Sequence, residues 1–357
     1  MAFQNKGEGM EESEIISIII PVFNIKPYLS EALNSVLNQT YTNLEIIIID
    51  DGSTDESGMV CDEFAKKDNR IIVVHQENKG LSEARNVGLD MMTGNIVAFL
   101  DPDDRYQSDY IMSMLSTMNQ YNADIVICKN AAIRTTNAMS LKDIVSIEPQ
   151  MAKGLYDRVT VLRAYVDGLI NAAVWNKIYK SKLWKETRFP VGYVYEDIVT
   201  TYQIFNNSEK VYILDKVLYL RRIHSESITN TPSIINVSDH IWALSQIESF
   251  IEDNIHTLFN DNHLVRIHKK KLHLLIYLYI LSFSKIGDKG NINHDDLKKQ
   301  IIKLVKEASV TNLAMHYKIA YYLIYYCPCL IQINYLIYRK FRIIERKVFG
   351  AVQKNYR

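Results

Sequence analysis

Asp101, Asp103 and Asp104 put three carboxylates within four residues. Like charges this close disfavour joint ionisation, and a divalent cation removes that penalty. Mg²⁺ takes one or two protein carboxylates and completes its shell with phosphate oxygens and water. The run therefore fits a site shared by protein, metal and a nucleoside diphosphate, although an acidic loop before a helix N-terminus gives the same pattern. Asp50-Asp51 form a second acidic pair. Carboxylates there can accept from base N–H groups and ribose hydroxyls, or merely cap a helix. Glu196-Asp197 form a third pair, fit either for taking a proton from an attacking alcohol or for the acidic first turn of a helix. Neither GxGxxG nor GxxxxGK[ST] occurs, so a bound diphosphate would fall to metal and basic side chains rather than to a glycine-rich loop. Arg85 is one candidate cation; a surface ion pair is its other reading.

These clusters need elements to hold them. Ile15–Ile20, Leu44–Ile49, Ile71–Val74, Ile96–Leu100 and Ile125–Ile127 are apolar, β-branched runs without polar alternation, as expected of strands buried on both faces of a parallel sheet. Between them, Leu29, Ala32, Leu33, Val36 and Leu37 follow helical spacing. Ser53 and Glu56 match a capping box for the next helix, and Leu81–Met92 reads as another helix with Gly94 as its stop. Strand–helix alternation predicts a right-handed βαβ sheet with helices on both faces. Ligands of such sheets bind beyond the carboxyl ends of the strands. Pro21-Val22-Phe23-Asn24, Asp50-Asp51-Gly52-Ser53 and Asp101-Pro102-Asp103-Asp104 all follow predicted strands, so they should meet at one crevice. From 130 to 231 the pattern is mixed; after Pro232 it turns helical and rich in Ile, Leu, Tyr and Lys.

Apolar residues make up 48% of the 357, enough for a sizeable core, and the formal net charge is zero, so bulk charge names no nucleic-acid or membrane partner. Cys61, Cys128, Cys327 and Cys329 form no CxxC pair; Cys61 and Cys128 read as small buried hydrophobes and a reducing cytosol is the expected compartment. Residues 1–14 read as a disordered polar tail without the pattern of a secretion signal. No uninterrupted run of 18 apolar residues exists, which argues against a conventional membrane span. Between Leu313 and Arg357, eight Lys/Arg stand against the single acid Glu345, interleaved with Tyr and Ile. Such a segment can lie in a membrane interface against anionic lipid, or pack on the catalytic core or on a second copy in a homodimer. No stacking motif or recognition fold supports nucleic-acid binding.

The strings ISIIIPVFN, IIIIDDGSTDES and ENKGLSEARNVGLDMMTGNIVAFLDPDD, followed by WNKIYK, YEDI and RRIHSESIT, together resemble the family-2 glycosyltransferases with the GT-A fold, in their bacterial polysaccharide-assembling form. The resemblance spans roughly residues 15 to 230; each motif is weak alone, and their order and spacing are specific. It implies a GT-A-like α/β fold with a Rossmann-type, mostly parallel central sheet flanked by helices and a helical C-terminal extension. Residues 15–130 would form the nucleotide-sugar half, 131–235 the acceptor half and 236–357 the helical region. The resemblance places Pro21, Phe23, Asn24, Asp50 and Asp51 at the nucleoside, with Asp51 on the base. Asp101-Pro102-Asp103 matches the family's DxD motif, with Pro102 in place of a small polar residue. Asp101 and Asp103 would serve the donor, Asp103, Asp104 and His224 the Mn²⁺ or Mg²⁺, and Arg85 the diphosphate. Asp197 would be the base, with Glu196, Trp175, Asn176 and Lys177 at the acceptor. The implied reaction is inverting transfer from a nucleotide sugar, usually a UDP-sugar, to a glycan or lipid-linked glycan at the inner face of the cell membrane. Two rivals are a sugar nucleotidyltransferase, which would need a glycine-rich basic loop where PVFNIK stands, and a silent glycan-binding scaffold, against which the retention of Asp103, Asp104 and Asp197 speaks.

Overall fold

A computed structural model describes residues 14–134, 149–223, 233–282, 293–307 and 315–326. The chain divides into two compact units, residues 1–228 and 229–357. In the first, β1 (Ile16–Val22), α1 (Lys26–Leu37), β2 (Leu44–Asp50), α2 (Ser57–Ala65), β3 (Ile71–His75), α3 (Leu81–Met91) and β4 (Ile96–Phe99) alternate as the apolar runs predict. β5 (Arg105–Tyr106), α4 (Tyr110–Tyr121), β6 (Ile125–Arg134), β7 (Gly154–Asp157), α5 (Arg158–Asp167), β8 (Lys177–Lys180), α6 (Glu196–Asn207) and β9 (Lys210–Ile223) complete it.

All strands join one nine-stranded sheet in the order β3-β2-β1-β4-β8-β6-β9-β5, with β7 also on β9. β1 pairs in parallel with both β2 and β4, and β2 with β3. Beyond β4 the sheet is mixed: β8 runs antiparallel to β4 and β6, while β9 is parallel to β6 and antiparallel to β5 and β7. Ile16, Ile18, Ile20 and Val22 face the core made with α1, α2 and α4. Ile47 and Ile49 face Ala84 and Val87 of α3 on the other side, as the period of two requires. The sheet runs unbroken across residue 130, so the expected donor and acceptor halves share one framework. Cys61 and Cys128 are buried free thiols.

Three local expectations need correction. β3 is an edge strand, and only Ile71 of it is fully buried; its other face meets solvent. Ser53 and Glu56 do not form a capping box: α2 starts at Ser57, and Glu56 is its left-handed N-cap without a side-chain cap bond. Gly94 does not stop α3, whose C-cap is the extended Met92. A Cβ at Gly94 would lie 2.6 Å from the Ile15 carbonyl oxygen and 2.9 Å from the Ser17 nitrogen, so close approach of the turn to β1 requires the glycine.

The second unit holds α7 (Ile234–Asp253), α8 (Asp261–Leu281), α9 (His294–Glu307) and α10 (Met315–Tyr326). Val237, Leu272, Leu275, Leu297, Ile301 and Ile324 contribute to a core shared by all four. Ser233 caps α7 by accepting from the Asn236 nitrogen, and Asn260 with His263 makes a capping box at α8. On α10, Ile319, Tyr322, Tyr325 and Tyr326 are exposed. No helix among the described residues is long and apolar enough to cross a membrane. The polar tail 1–13, His224, Cys327, Cys329 and the basic stretch 327–357 lie outside the described residues.

Candidate active site

The loops after β1 and β2 are laced together. Asn24, in the left-handed region at φ 46°, accepts from the Thr54 nitrogen at 2.7 Å and donates its own N–H to Ser53 Oγ at 3.1 Å. Asn and Asp tolerate this conformation better than most side chains. The Ile25 nitrogen donates to Ser57 Oγ and the Lys26 nitrogen to Asp55. Pro21 is buried at the end of β1, whereas Phe23 is 47% exposed beside it.

Asp50 and Asp51 are both buried and do different work. Asp50 accepts from the Ser53 nitrogen, and its Oδ2 lies 2.8 Å from His75 Nδ1. His75 Nε2 also meets Asp62, and the two carboxylates hold the imidazole pKa above its ordinary value, the Asp50 hydrogen bond first. Asp51 accepts from Gln76 Nε2 at 2.7 Å, the Lys79 nitrogen at 2.9 Å and the Gly80 nitrogen at 2.8 Å. It thereby fixes the turn into α3, where Gly80 takes φ 92°.

Arg85, on the second turn of α3, is the hinge pin of the site. Its buried guanidinium donates to Glu196 Oε1 at 2.6 Å and to Asp101 Oδ1 at 2.9 Å, and lies 5.2 Å from the centre of the Phe189 ring. Asn86 next to it exchanges two hydrogen bonds with the Phe189 backbone. Phe189 stacks on Trp184 at 5.3 Å and Trp184 packs on Phe99 of β4 at 5.1 Å. The start of α6 is thus tied to α3 and to the loop after β4, 111 residues from Arg85 along the chain.

Tyr195, the N-cap of α6, has φ 67°, a strained conformation for a bulky residue. It turns the chain into Glu196-Asp197, with Tyr165 donating to the Ile198 carbonyl and Thr201 to that of Ala172. Asp197 is half-buried. Burial first, then the neighbouring Glu196 charge, pushes its carboxyl up to about 7 against the opposing pull of Arg85. Asp101 is also raised, by burial, with Asp103 adding to the effect and Arg85 opposing it.

Within the acidic loop the roles divide. Asp103 is partly exposed. Asp104 is buried, accepting from the Arg222 nitrogen through Oδ1 and from the Tyr219 hydroxyl through Oδ2 at 2.7 Å. Its pKa stands well above the carboxylate range, because of burial and the Asp103 and Asp101 charges. Asp104, expected at the metal, accepts from β9 through both of its oxygens. Asn176 and Lys177, expected at the acceptor, lie inside the fold. Both are buried, with Asn176 Nδ2 donating to the Cys128 carbonyl and Lys177 Nζ to Asn171, Ala173 and Asn176, so they hold a turn from inside. Trp175 stacks on Tyr219 with ring centres 4.2 Å apart, and the Tyr219 hydroxyl accepts from the Asp101 nitrogen at 3.3 Å. Trp175 therefore reaches the acidic loop through one aromatic ring. Sequence reasoning gave no role to Tyr219, Arg222, His75 or Tyr195, since no spacing rule links them to the aspartates.

The Glycosyl transferase family 2 model matches residues 17–170. Two glycosyltransferases of Streptococcus pneumoniae serotype 4 are similar. GlyA is 37% identical over 221 residues, 60% of this chain but only 31% of GlyA. GlyG is 32% identical over 243 residues, 67% of this chain and 79% of GlyG. The crystal structure of Staphylococcus aureus TarS 1–349 shares the fold with a TM-score of 0.61 at 19% identity, covering 90% of both chains, and its complex with UDP-GlcNAc gives 0.59. A mixed sheet with acidic loops at one edge, a matching family model and a relative aligned over most of its length agree: the chain belongs to the family-2 glycosyltransferases.

Proposed function

We propose that this glycosyltransferase is metal-dependent and inverting, and moves a sugar from a nucleoside diphosphate, UDP in the first instance, to a hydroxyl of a glycan or lipid-linked glycan in bacterial surface polysaccharide assembly. The observation that carries this reading is the Arg85 bridge between Asp101 and Glu196, because it brings the acidic loop and the neighbourhood of Asp197 to one site. Asp197 takes the proton of the acceptor hydroxyl as that oxygen bonds to the anomeric carbon and the bond to the diphosphate breaks. One base and one displacement invert the centre. A carboxyl raised to about 7 is a stronger base than an ordinary one and is still substantially ionised at neutral pH. Arg85 balances Glu196 and Asp101 and keeps Asp197 from rising further.

Asp101 and Asp103 offer carboxylate oxygens on one loop, a donor set that suits Mg²⁺ or Mn²⁺, and these two residues would hold the ion. Bound there, the cation would offset the charge gathering on the departing diphosphate. Asp51 shapes the nucleoside edge through the turn that it pins, with Phe23 and Asn24 beside it. UDP is supported by the UDP-GlcNAc complex of the TarS fold neighbour, which makes UDP-GlcNAc the first donor to try. Contact with an anionic membrane surface is supported by the exposed tyrosines of α10 and the basic sequence after it.

The test is donor cleavage across UDP-, GDP- and CDP-sugars, with Mn²⁺ and with EDTA, for the wild type and Asp103→Ala. Metal-dependent release from one donor, lost in the variant, is the expected result. Release unaffected by EDTA would remove the metal from the reading. Absence of both release and calorimetric nucleotide binding would remove the donor assignment.

A further inference from the structure

Arg222 is the penultimate residue of β9, with its side chain only 7% exposed. It touches the acidic loop twice. Its backbone nitrogen donates to Asp104 Oδ1 at 2.6 Å, and its Nε donates to the Asp103 carbonyl oxygen at 2.8 Å. The far side of the guanidinium pairs with Glu31 of α1 and lies 5.0 Å from the centre of the Tyr28 ring. Arg105, just after the loop, pairs with the other oxygen of Glu31. One planar cation thus joins β9, α1 and the main chain of Asp103.

We infer that Arg222 is a positioning residue for the Asp103 carboxylate, holding the peptide that carries it so that a divalent cation meets a preset ligand. The inference rests on the metal-dependent reading above. A loop carrying three carboxylates has electrostatic reason to spread, and a guanidinium bonded to the Asp103 carbonyl, beside the main-chain bond to Asp104, opposes that. Arginine suits the position because its fork donates in one plane to a carbonyl on one side and a carboxylate on the other, while its face rests on a ring. Lysine offers a point charge and cannot keep both bonds in that geometry. Glu31 acts one step further out, by orienting the guanidinium.

The experiment uses the full-length chain as wild type, Arg222→Gln, Arg222→Lys and Glu31→Gln. Mn²⁺ binding is read directly by calorimetry with UDP present, beside UDP affinity in EDTA and the melting temperature. Arg222→Gln should weaken Mn²⁺ binding by about 10-fold or more, the range for removal of groups that orient a metal ligand, with UDP affinity in EDTA unchanged. Arg222→Lys should fall between it and the wild type, and Glu31→Gln should shift Mn²⁺ binding the same way by less. Folded Arg222→Gln binding Mn²⁺ within about 2-fold of the wild type, below that range, would overturn the inference and leave the function standing. If Arg222→Gln fails to fold, Glu31→Gln decides by the same comparison. A wild type that binds no Mn²⁺ with UDP would overturn the metal reading itself, and this inference with it.

Discussion

Asp197 and Arg85 show how a single charge is balanced at the residue scale. Asp197 is pushed up to about 7 chiefly by burial and by Glu196, so its ionised form is a cost to the fold. Replacing it with Asn removes that cost. Asp197→Asn should melt no lower than the wild type at pH 8, yet lose about 10²- to 10⁴-fold in kcat, the usual worth of a positioned base, with nucleotide affinity retained. Because the basic form is the active one, kcat/KM of the wild type should rise with pH through about 7. Arg85→Met should behave oppositely. It strands the buried Glu196 and Asp101, and breaking a buried pair on one side costs about 3–5 kcal/mol, measurable by urea unfolding. Where the variant folds, the acid limb of the rate profile should move to higher pH, since Arg85 opposes the rise at Asp197. A lower melting temperature for Asp197→Asn, or an unmoved limb in Arg85→Met, would contradict this balance.

Among the elements, β3 ends in the residue that joins both sides of its neighbour. His75 bridges Asp50 at the tip of β2 and Asp62 of α2, and its pKa is raised by these bonds. A raised folded pKa means that the bridge is fully present below the unfolded value near 6.5 and is lost as pH rises through the folded one. Stability should therefore decline as pH rises above the unfolded value, and His75→Gln should flatten that slope when unfolding is followed between pH 6 and 9. An equal slope in both proteins would assign the decline to other groups. β1, β2 and β4 were legible in the sequence because strands buried on both faces read as unbroken Ile and Val. Ser53-Glu56 misled because Asp50 and Asn24 claim the turn's hydrogen bonds before a cap can form. Gly94 misled because its reason lies in a neighbouring strand.

For the molecule as a whole, legibility fell with separation along the chain. That the clusters after β1, β2 and β4 lie at one end of the sheet was expected from strand order alone. The partners of Glu196 and Asp104 lie 111 to 118 residues away, beyond any spacing rule; hence the hold of β9 on Asp104 was not legible. The second unit carries the remaining prediction. Full-length protein should pellet with vesicles rich in anionic lipid, less so in 0.5 M salt, where charges are screened over about 4 Å, and truncation at Arg339 should abolish it. Equal, poor pelleting of both proteins would end the membrane reading. A last consequence comes from the irregular pairing of β6 with β9, where Cys128 matches Leu214, Lys129 matches Val217 and Asn130 matches Tyr219. β9 spends extra residues at this kink, and they count out which face Tyr219 and Arg222 present when they reach the aspartates. Deleting a single residue there, at Asp215 on the surface, would turn both side chains to the opposite face. A solvent-facing kink, where an insertion or deletion would look harmless, is thus a point at which the enzyme tolerates no change of length.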